Sequence, residues 1–265
     1  MPPGRPSLAA RWLAASRARL AHTRPSTPGG DPEGERRLYR SVSGSFAVPV
    51  GLPAGLHERT RVIDAELARA LGHGIPQIVL LGAGYDGRTL RFGGGPVRWF
   101  EVDLAAVQAD KRRRLRALGI EPVGVTYVGL DHLHDDLGAA LDAAGHDPAA
   151  PSLFVCEDVA THLTLEATAR LSSSLRARAP AGSALVACFT VAPAPGVPAR
   201  ALRAATSALL TVTGEPRRNE FRPGDPEKLM VVTGWRVGHA DSSAESRLDR
   251  GSHTLVLVCT PGPVR

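Results

Sequence analysis

Three glycines, Gly82, Gly84 and Gly87, follow a short apolar run, Gln77–Leu81, in a G-x-G-x-x-G arrangement. Glycines at this spacing let the chain turn tightly and let a ligand approach the backbone, and a helix opening behind them offers its positive N-terminus. About 20 residues further on, Glu101 and Asp103 close a second apolar run, where a carboxylate can accept both hydroxyls of a ribose. The same residues also suit a plain strand-to-helix turn beside a solvated carboxylate pair. If a ligand binds, the spacing alone leaves NAD and S-adenosylmethionine open. The next residues of the loop, Asp86 and Arg88, carry opposite charges and suit a zwitterionic amino-acid ligand better than a pyrophosphate.

A second candidate group is His162, just past the fourth apolar run, Ser152–Cys156. Open α/β sheets bind their ligands at the carboxyl ends of the strands, which makes His162 the best candidate for a general base. His132 and His134 are weaker candidates. A structural or solvated role is the alternative for each of the three.

These groups need elements to hold them. Strands are expected at Gln77–Leu81, Val97–Val102, Val123–Val128, Ser152–Cys156 and Ser183–Thr190, with helices at Leu56–Leu71, Leu104–Leu118, Leu137–Ala144 and Leu165–Arg178. Short apolar strands alternating with helices imply a parallel sheet covered on both faces. The last two strands, Trp235–His239 and Thr254–Thr260, have only a polar turn, Ala240–Ser252, between them. They are expected to form an antiparallel hairpin, because a parallel crossover would need a helix. The fold class is thus α/β, a doubly wound Rossmann-like sheet of seven mostly parallel strands with an antiparallel last strand. Such a chain has little room for a second mononucleotide half, which favours S-adenosylmethionine over NAD.

Residues 1–36 read as a basic N-terminal arm, either loosely held or a lid, with a helix over Ser7–His22 and Leu8, Trp12 and Leu20 along one stripe. Residues 37–265 read as one domain. The formal charge is +6, but Arg5, Arg11, Arg17, Arg19 and Arg24 all precede the first acidic residue, Asp31, and supply most of the excess. The other cluster, Lys111, Arg112, Arg113, Arg114 and Arg116, reads as a solvated helix face. Nucleic acid is therefore not expected as a partner. No apolar run is long enough to span a membrane, and the N-terminus lacks the apolar segment of a signal peptide. Cys156, Cys188 and Cys259 fit no metal spacing and read as reduced, buried thiols of a cytoplasmic protein.

From Arg59 to the C-terminus the sequence resembles the leucine carboxyl methyltransferase family, including its bacterial small-molecule members. Gln77–Arg88 resembles the family's cofactor loop, and Phe100-Glu101-Val102-Asp103 with Lys111 and Leu115 its second motif, with Ala105 where proline is frequent. Arg59-Thr60-Arg61 resembles the segment whose arginine binds the methionine carboxylate; Arg59 is the preferred match and Arg61 the alternative. Leu130-Asp131-His132-Leu133 resembles the adenine-contacting turn, and Ala181-Gly182-Ser183 and Gly234-Trp235 also fit. After the fourth strand the family reads Glu-Gly, three apolar or small residues, then Tyr-Leu. Here Glu157 is kept, but Asp158 and His162 replace the glycine and the tyrosine.

The resemblance implies an S-adenosylmethionine-dependent O-methyltransferase whose cofactor meets Arg59, Gly82, Gly84, Asp86, Glu101, Asp103, Asp131 and Glu157. The acceptor would be a carboxylate or hydroxyl of a small molecule or peptide. Two other readings stay open, an NAD-dependent oxidoreductase and a cofactor-fold binding protein that has lost catalysis.

Overall fold

The computed structural model describes residues 8–20, 26–44, 54–192, 218–245 and 253–263. Arg5 and Arg24 lie outside them, as do both ends of the expected first helix. Seven strands form one sheet: β1 (Gln77–Leu81), β2 (Arg98–Asp103), β3 (Val125–Gly129), β4 (Ser152–Cys156), β5 (Ala184–Val191), β6 (Trp235–Glu245) and β7 (His253–Pro261). Their order is β3-β2-β1-β4-β5-β7-β6. β1 to β5 pair in parallel, and β7 runs antiparallel to both β5 and β6. The expected reversed last strand and terminal hairpin are therefore present. β6 runs on to Glu245, into the stretch expected to turn.

β1 is central and all five of its residues are buried. Alternation splits them between two cores. Ile78 and Leu80 pack with Trp99, Leu153 and Val155 against Val62, Ile63 and Leu67 of α3 (Ala54–Gly72). Val79 and Leu81 pack with Phe100, Phe154 and Cys156 against Leu171 and Leu175 of α8 (Leu165–Ala177). The remaining crossover helices are α4 (Arg88–Arg91), α5 (Ala105–Ala117), α6 (Leu137–Ala143) and α7 (Val159–His162), and α9 (Asp225–Val232) precedes β6. Among the described residues no helix is long and apolar enough to cross a membrane.

The strand order reverses between β1 and β4, and ligands of open α/β sheets bind in the crevice that this creates. Leu81, Asp103 and Cys156 end the strands there, so the glycine loop, the acidic pair and the Glu157–His162 segment converge on one edge.

The described part of the N-terminal region packs beside the glycine loop. α1 (Leu8–Arg19) and α2 (Pro32–Ser43) form a third apolar cluster with the glycine loop and α5, in which Ala14, Leu38, Tyr39 and Val42 meet Tyr85, Leu90 and Leu115. The buried stretch of α1 is Ala14, Ala15 and Ser16, whereas Trp12 and Leu20 of the expected stripe are only half-buried. Small side chains allow α1 to lie close to α2. The expected boundary at residue 36 falls inside α2. That helix starts where Asp31 accepts the Gly34 N–H at 2.7 Å and Pro32 fills the first turn, a combination that favours helix initiation.

One buried histidine gives this fold a pH dependence. His146, 3% exposed, lies between the rings of Phe100 and Phe154. Its Nδ1 accepts from Arg178 Nε at 3.3 Å, so Nε2 carries the proton and donates to Ser152 Oγ at 3.0 Å. Burial, and then the Arg178 guanidinium, push its pKa down to about 4. The unfolded chain takes up this proton near pH ~6.5 and the folded one does not, so the stabilisation is complete above ~6.5 and is lost as pH falls toward 4. Stability from urea unfolding should drop by about 2–3 kcal/mol between pH 7 and 4.5 on this account alone. His146→Gln should flatten that part of the curve; an unchanged slope would remove His146 as its source.

Candidate functional site

β1 delivers the chain to Gly82 with φ +61°, and Gly84 follows at φ +46°. Both values favour glycine. The Gly84 N–H donates to Asp103 Oδ2 at 2.7 Å and the Leu104 N–H to Asp103 Oδ1 at 2.6 Å. Asp103, at the last position of β2, thus fixes the glycine loop, and each of its oxygens keeps acceptor capacity. Gly82 meets α7, since a Cβ there would lie 2.4 Å from Val159 Cγ2. Gly87 serves packing: a Cβ there would lie 2.5 Å from Glu35 Cγ, and its N–H donates to Tyr39 Oη at 3.1 Å.

Beside the loop lies a buried network of arginines and carboxylates. Arg88, 1% exposed, donates Nε to Asp64 Oδ1 at 2.8 Å and Nη1 to Asp86 Oδ2 at 2.7 Å and to Glu157 Oε2 at 2.6 Å. Arg59 donates Nε to Glu157 Oε1 at 2.9 Å and Nη1 to Asp158 Oδ1 at 3.0 Å, and its Nη2 lies 2.6 Å from Asp158 Oδ2. Arg17 of α1 reaches the same carboxylates, with Nη2 2.9 Å from Glu157 and Nη1 3.7 Å from Asp86. Arg91 ties Glu35 and Asp64 into the edge of the network. Burial alone would raise the Glu157 carboxyl, but Arg17, Arg88 and Arg59 together hold it far below the usual carboxylate range. Asp86 is likewise lowered: burial opposes ionisation, and Arg88 and Arg17 overcome it. Both are acceptors at any physiological pH. Two guanidinium nitrogens, Arg17 Nε and Arg88 Nη2, are shielded and have no acceptor among the described residues.

The structure brings Arg59, Gly82, Gly84, Asp86, Asp103 and Glu157 to this edge. Of the two arginines left open by the sequence, Arg59 points into the network, whereas Arg61 is exposed and pairs with Glu58 one turn back. Glu101 lies deeper than the other expected cofactor contacts. It is fully buried, with Lys111 Nζ at 2.6 Å on one oxygen and Thr89 Oγ1 at 2.8 Å on the other. Burial raises its pKa against the pull of Lys111. Asp103, by contrast, stands at the end of β2 with both oxygens on backbone N–H groups of the loop. Lys111 is accordingly no solvated residue: it is 1% exposed and also donates to the Asp86 carbonyl at 2.5 Å.

Asp131 sits beside the end of β2, where the Leu130 N–H donates to the Asp103 carbonyl at 2.9 Å. Its carboxylate caps its own turn, accepting from Leu133 N–H at 2.9 Å, with His134 Nδ1 3.0 Å away. Burial pushes the neighbouring His132 down to about 4, so that ring is neutral. His162 ends α7 and is half-buried. The carbonyl of the preceding Thr161 accepts from the Arg218 N–H at 2.9 Å, which brings the chain leading to α9 against this end of α7.

Arg17, Asp64 and Glu35 are missing from the sequence reading of the site. Asp64 follows Arg59 by five residues in α3, which sets the two about 140° apart around the helix, so no spacing signal joined them. Arg17 carries no local signal, because its partners lie beyond β1 and beyond β4.

The family model for leucine carboxyl methyltransferase matches residues 10–176, and the chain belongs to this family. The match begins in the N-terminal arm rather than at Arg59, in keeping with the burial of α1. A provisionally named S-adenosyl-L-methionine-dependent methyltransferase of Streptomyces avermitilis is 34% identical over 159 residues, 60% of this chain and 53% of that protein. A similarly named protein of Mycobacteroides abscessus is 32% identical over 191 residues, 66% of this chain and 63% of that protein. The chain thus matches between half and two thirds of the length of these relatives. Among solved structures, magnesium protoporphyrin IX methyltransferase of Synechocystis superposes with a TM-score of 0.55 at 14% identity, covering 85% of this chain and 93% of that one. A Bordetella parapertussis protein described as a possible exported protein gives 0.53 at 16%, covering 96% and 95%. These two likenesses concern the fold.

Proposed function

We propose that the chain transfers a methyl group from S-adenosylmethionine to an oxygen of a small molecule or peptide, with a carboxylate favoured over a phenol as acceptor. The observation that carries this reading is the convergence of Asp103, anchored by Gly84, with the network around Arg59 and Glu157. One end of the edge suits a ribose and the other a zwitterionic amino acid. The shielded donors Arg17 Nε and Arg88 Nη2 beside Glu157 and Asp86 fit the same ligand, since a buried donor without an acceptor is costly. The relatives' names agree with this cofactor.

Asp103 would hold the ribose hydroxyls, Arg59 and Arg17 the methionine carboxylate, and Glu157 and Asp86 the ammonium group. When bound, the cofactor supplies an electrophilic methyl group on sulfur. The residues of this chain then have three tasks: aligning, excluding water and, for a neutral acceptor, removing a proton. A carboxylate acceptor is already ionised at neutral pH and needs no base. A phenol, with pKa near ~10, benefits from one, and His162 is then the proposed base.

The pH profile of methyl transfer separates the two acceptors. With a carboxylate acceptor the rate should be flat from about pH 6 to 9, and His162→Ala should change it by less than about 3-fold. A rate that climbs as an imidazole loses its proton, with a loss of roughly 100-fold in His162→Ala, would move the assignment to a hydroxyl acceptor. No methylated product from either acceptor class would favour a binding protein without catalysis.

A further inference from the structure

Asp158 has φ +63°, the only positive φ at a non-glycine position among the described residues. Aspartate enters this region more readily than most side chains but still at some cost, and a neighbouring contact helps to hold it. The contact that holds Asp158 is Arg59. Nη1 donates to Oδ1 at 3.0 Å and Nη2 lies 2.6 Å from Oδ2, a two-point fork between a planar guanidinium and a carboxylate. The α-carboxylate of an amino acid would make the same fork. Nε donates to Glu157, so both bidentate edges of the Arg59 guanidinium are engaged, and another carboxylate can form a two-point fork there only by displacing a resident one.

The two resident carboxylates are not equally replaceable. Glu157 has a side chain only 8% exposed and is also clamped by Arg17 and Arg88. Asp158 is at the rim, with a side chain 34% exposed, and Arg59 is the cation it pairs with at 2.6 Å. On leaving Arg59 it can rehydrate and its backbone can relax. It immediately precedes α7, the helix that packs Val159 on Gly82 and ends in His162.

We propose that Asp158 is an internal surrogate for the amino-acid carboxylate of the cofactor. It occupies Arg59 while the site is empty and must be exchanged for the ligand's carboxylate on binding. The exchange lowers the affinity for ligands that carry an amino-acid group, in proportion to the fraction of molecules in which Arg59 is available. It also couples capture of that group to the position of α7. The proposal rests on the S-adenosylmethionine reading and adds a control on its methionine end.

Calorimetric titration of wild type, Asp158→Gly and Asp158→Asn with two ligands tests it. S-adenosylhomocysteine has the amino-acid group, and 5′-methylthioadenosine lacks it. Glycine is at home at this φ, and asparagine tolerates it while losing the charge. Both variants should bind S-adenosylhomocysteine about 10-fold more tightly than wild type, with 5′-methylthioadenosine unchanged. Equal strengthening for both ligands would overturn the proposal, because it would report backbone relief alone. So would unchanged or weaker binding of S-adenosylhomocysteine in both variants while 5′-methylthioadenosine still binds. Failure of wild type to bind either ligand would overturn the cofactor reading itself, and the surrogate role with it.

Discussion

Arg88→Leu should destabilise the protein by about 3–5 kcal/mol, the cost of removing one partner from a buried ion pair. Arg88 is 1% exposed and is the common donor to Asp64, Asp86 and Glu157. Leucine would fill much of the space but would leave these carboxylates short of a cation in a region that water does not reach freely. They would then ionise at a cost or take up protons, and either response weakens the fold. A typical domain is stable by only about 5–15 kcal/mol, so the loss is a large part of the total. Arg170→Ala provides the contrast. Arg170 pairs with Glu166 one turn away on the surface, with side chains 56% and 84% exposed, and its removal should stay within about 0.5 kcal/mol. Urea unfolding of both variants at pH 7 makes the comparison. An Arg88→Leu loss of less than about 1 kcal/mol would mean that the network is far better solvated than its burial indicates.

The centre of the sheet was legible because β1 and β4 are short, apolar and fully buried. β1 and β4 lie where the apolar runs place them, and the absence of a helical pattern between the last two strands was enough to reverse one of them. The N-terminal region was harder to read. Arginines and small residues resemble a solvated arm when seen alone. α1 buries alanine and serine against α2, and no hydrophobic stripe announces such a face. α2 did carry a local signal, Asp31-Pro32 followed by Glu33 and Glu35, but its apolar residues are too few to outweigh the polar composition around them.

The site divides along the same line. The meeting of Gly82, Gly84 and Asp103 was legible because it depends on backbone conformation and on position at a strand end, which spacing encodes. Glu101 and Asp103 were not separable by spacing. Two apart on one strand they share a face, and only depth distinguishes the rim carboxylate from the one covered by Lys111 and Thr89. Arg17 and Lys111 were read as solvent-facing because long basic side chains usually are. Their carboxylate partners come from distant parts of the chain, and only the folded structure brings them together.

Asp103→Ala should weaken binding of S-adenosylhomocysteine roughly 10- to 150-fold. Hydrogen bonds to a charged group are worth about 1.5–3 kcal/mol, and the variant also frees the Gly84 N–H that orders the glycine loop. One calorimetric comparison of wild type and Asp103→Ala decides whether Gly82, Gly84 and Asp103 form the ribose end of an S-adenosylmethionine site. Wild type should bind S-adenosylhomocysteine saturably and one to one and should not bind NADH, and the folded variant should show the stated loss. Unchanged affinity in folded Asp103→Ala, or binding of NADH in place of S-adenosylhomocysteine, would contradict that assignment.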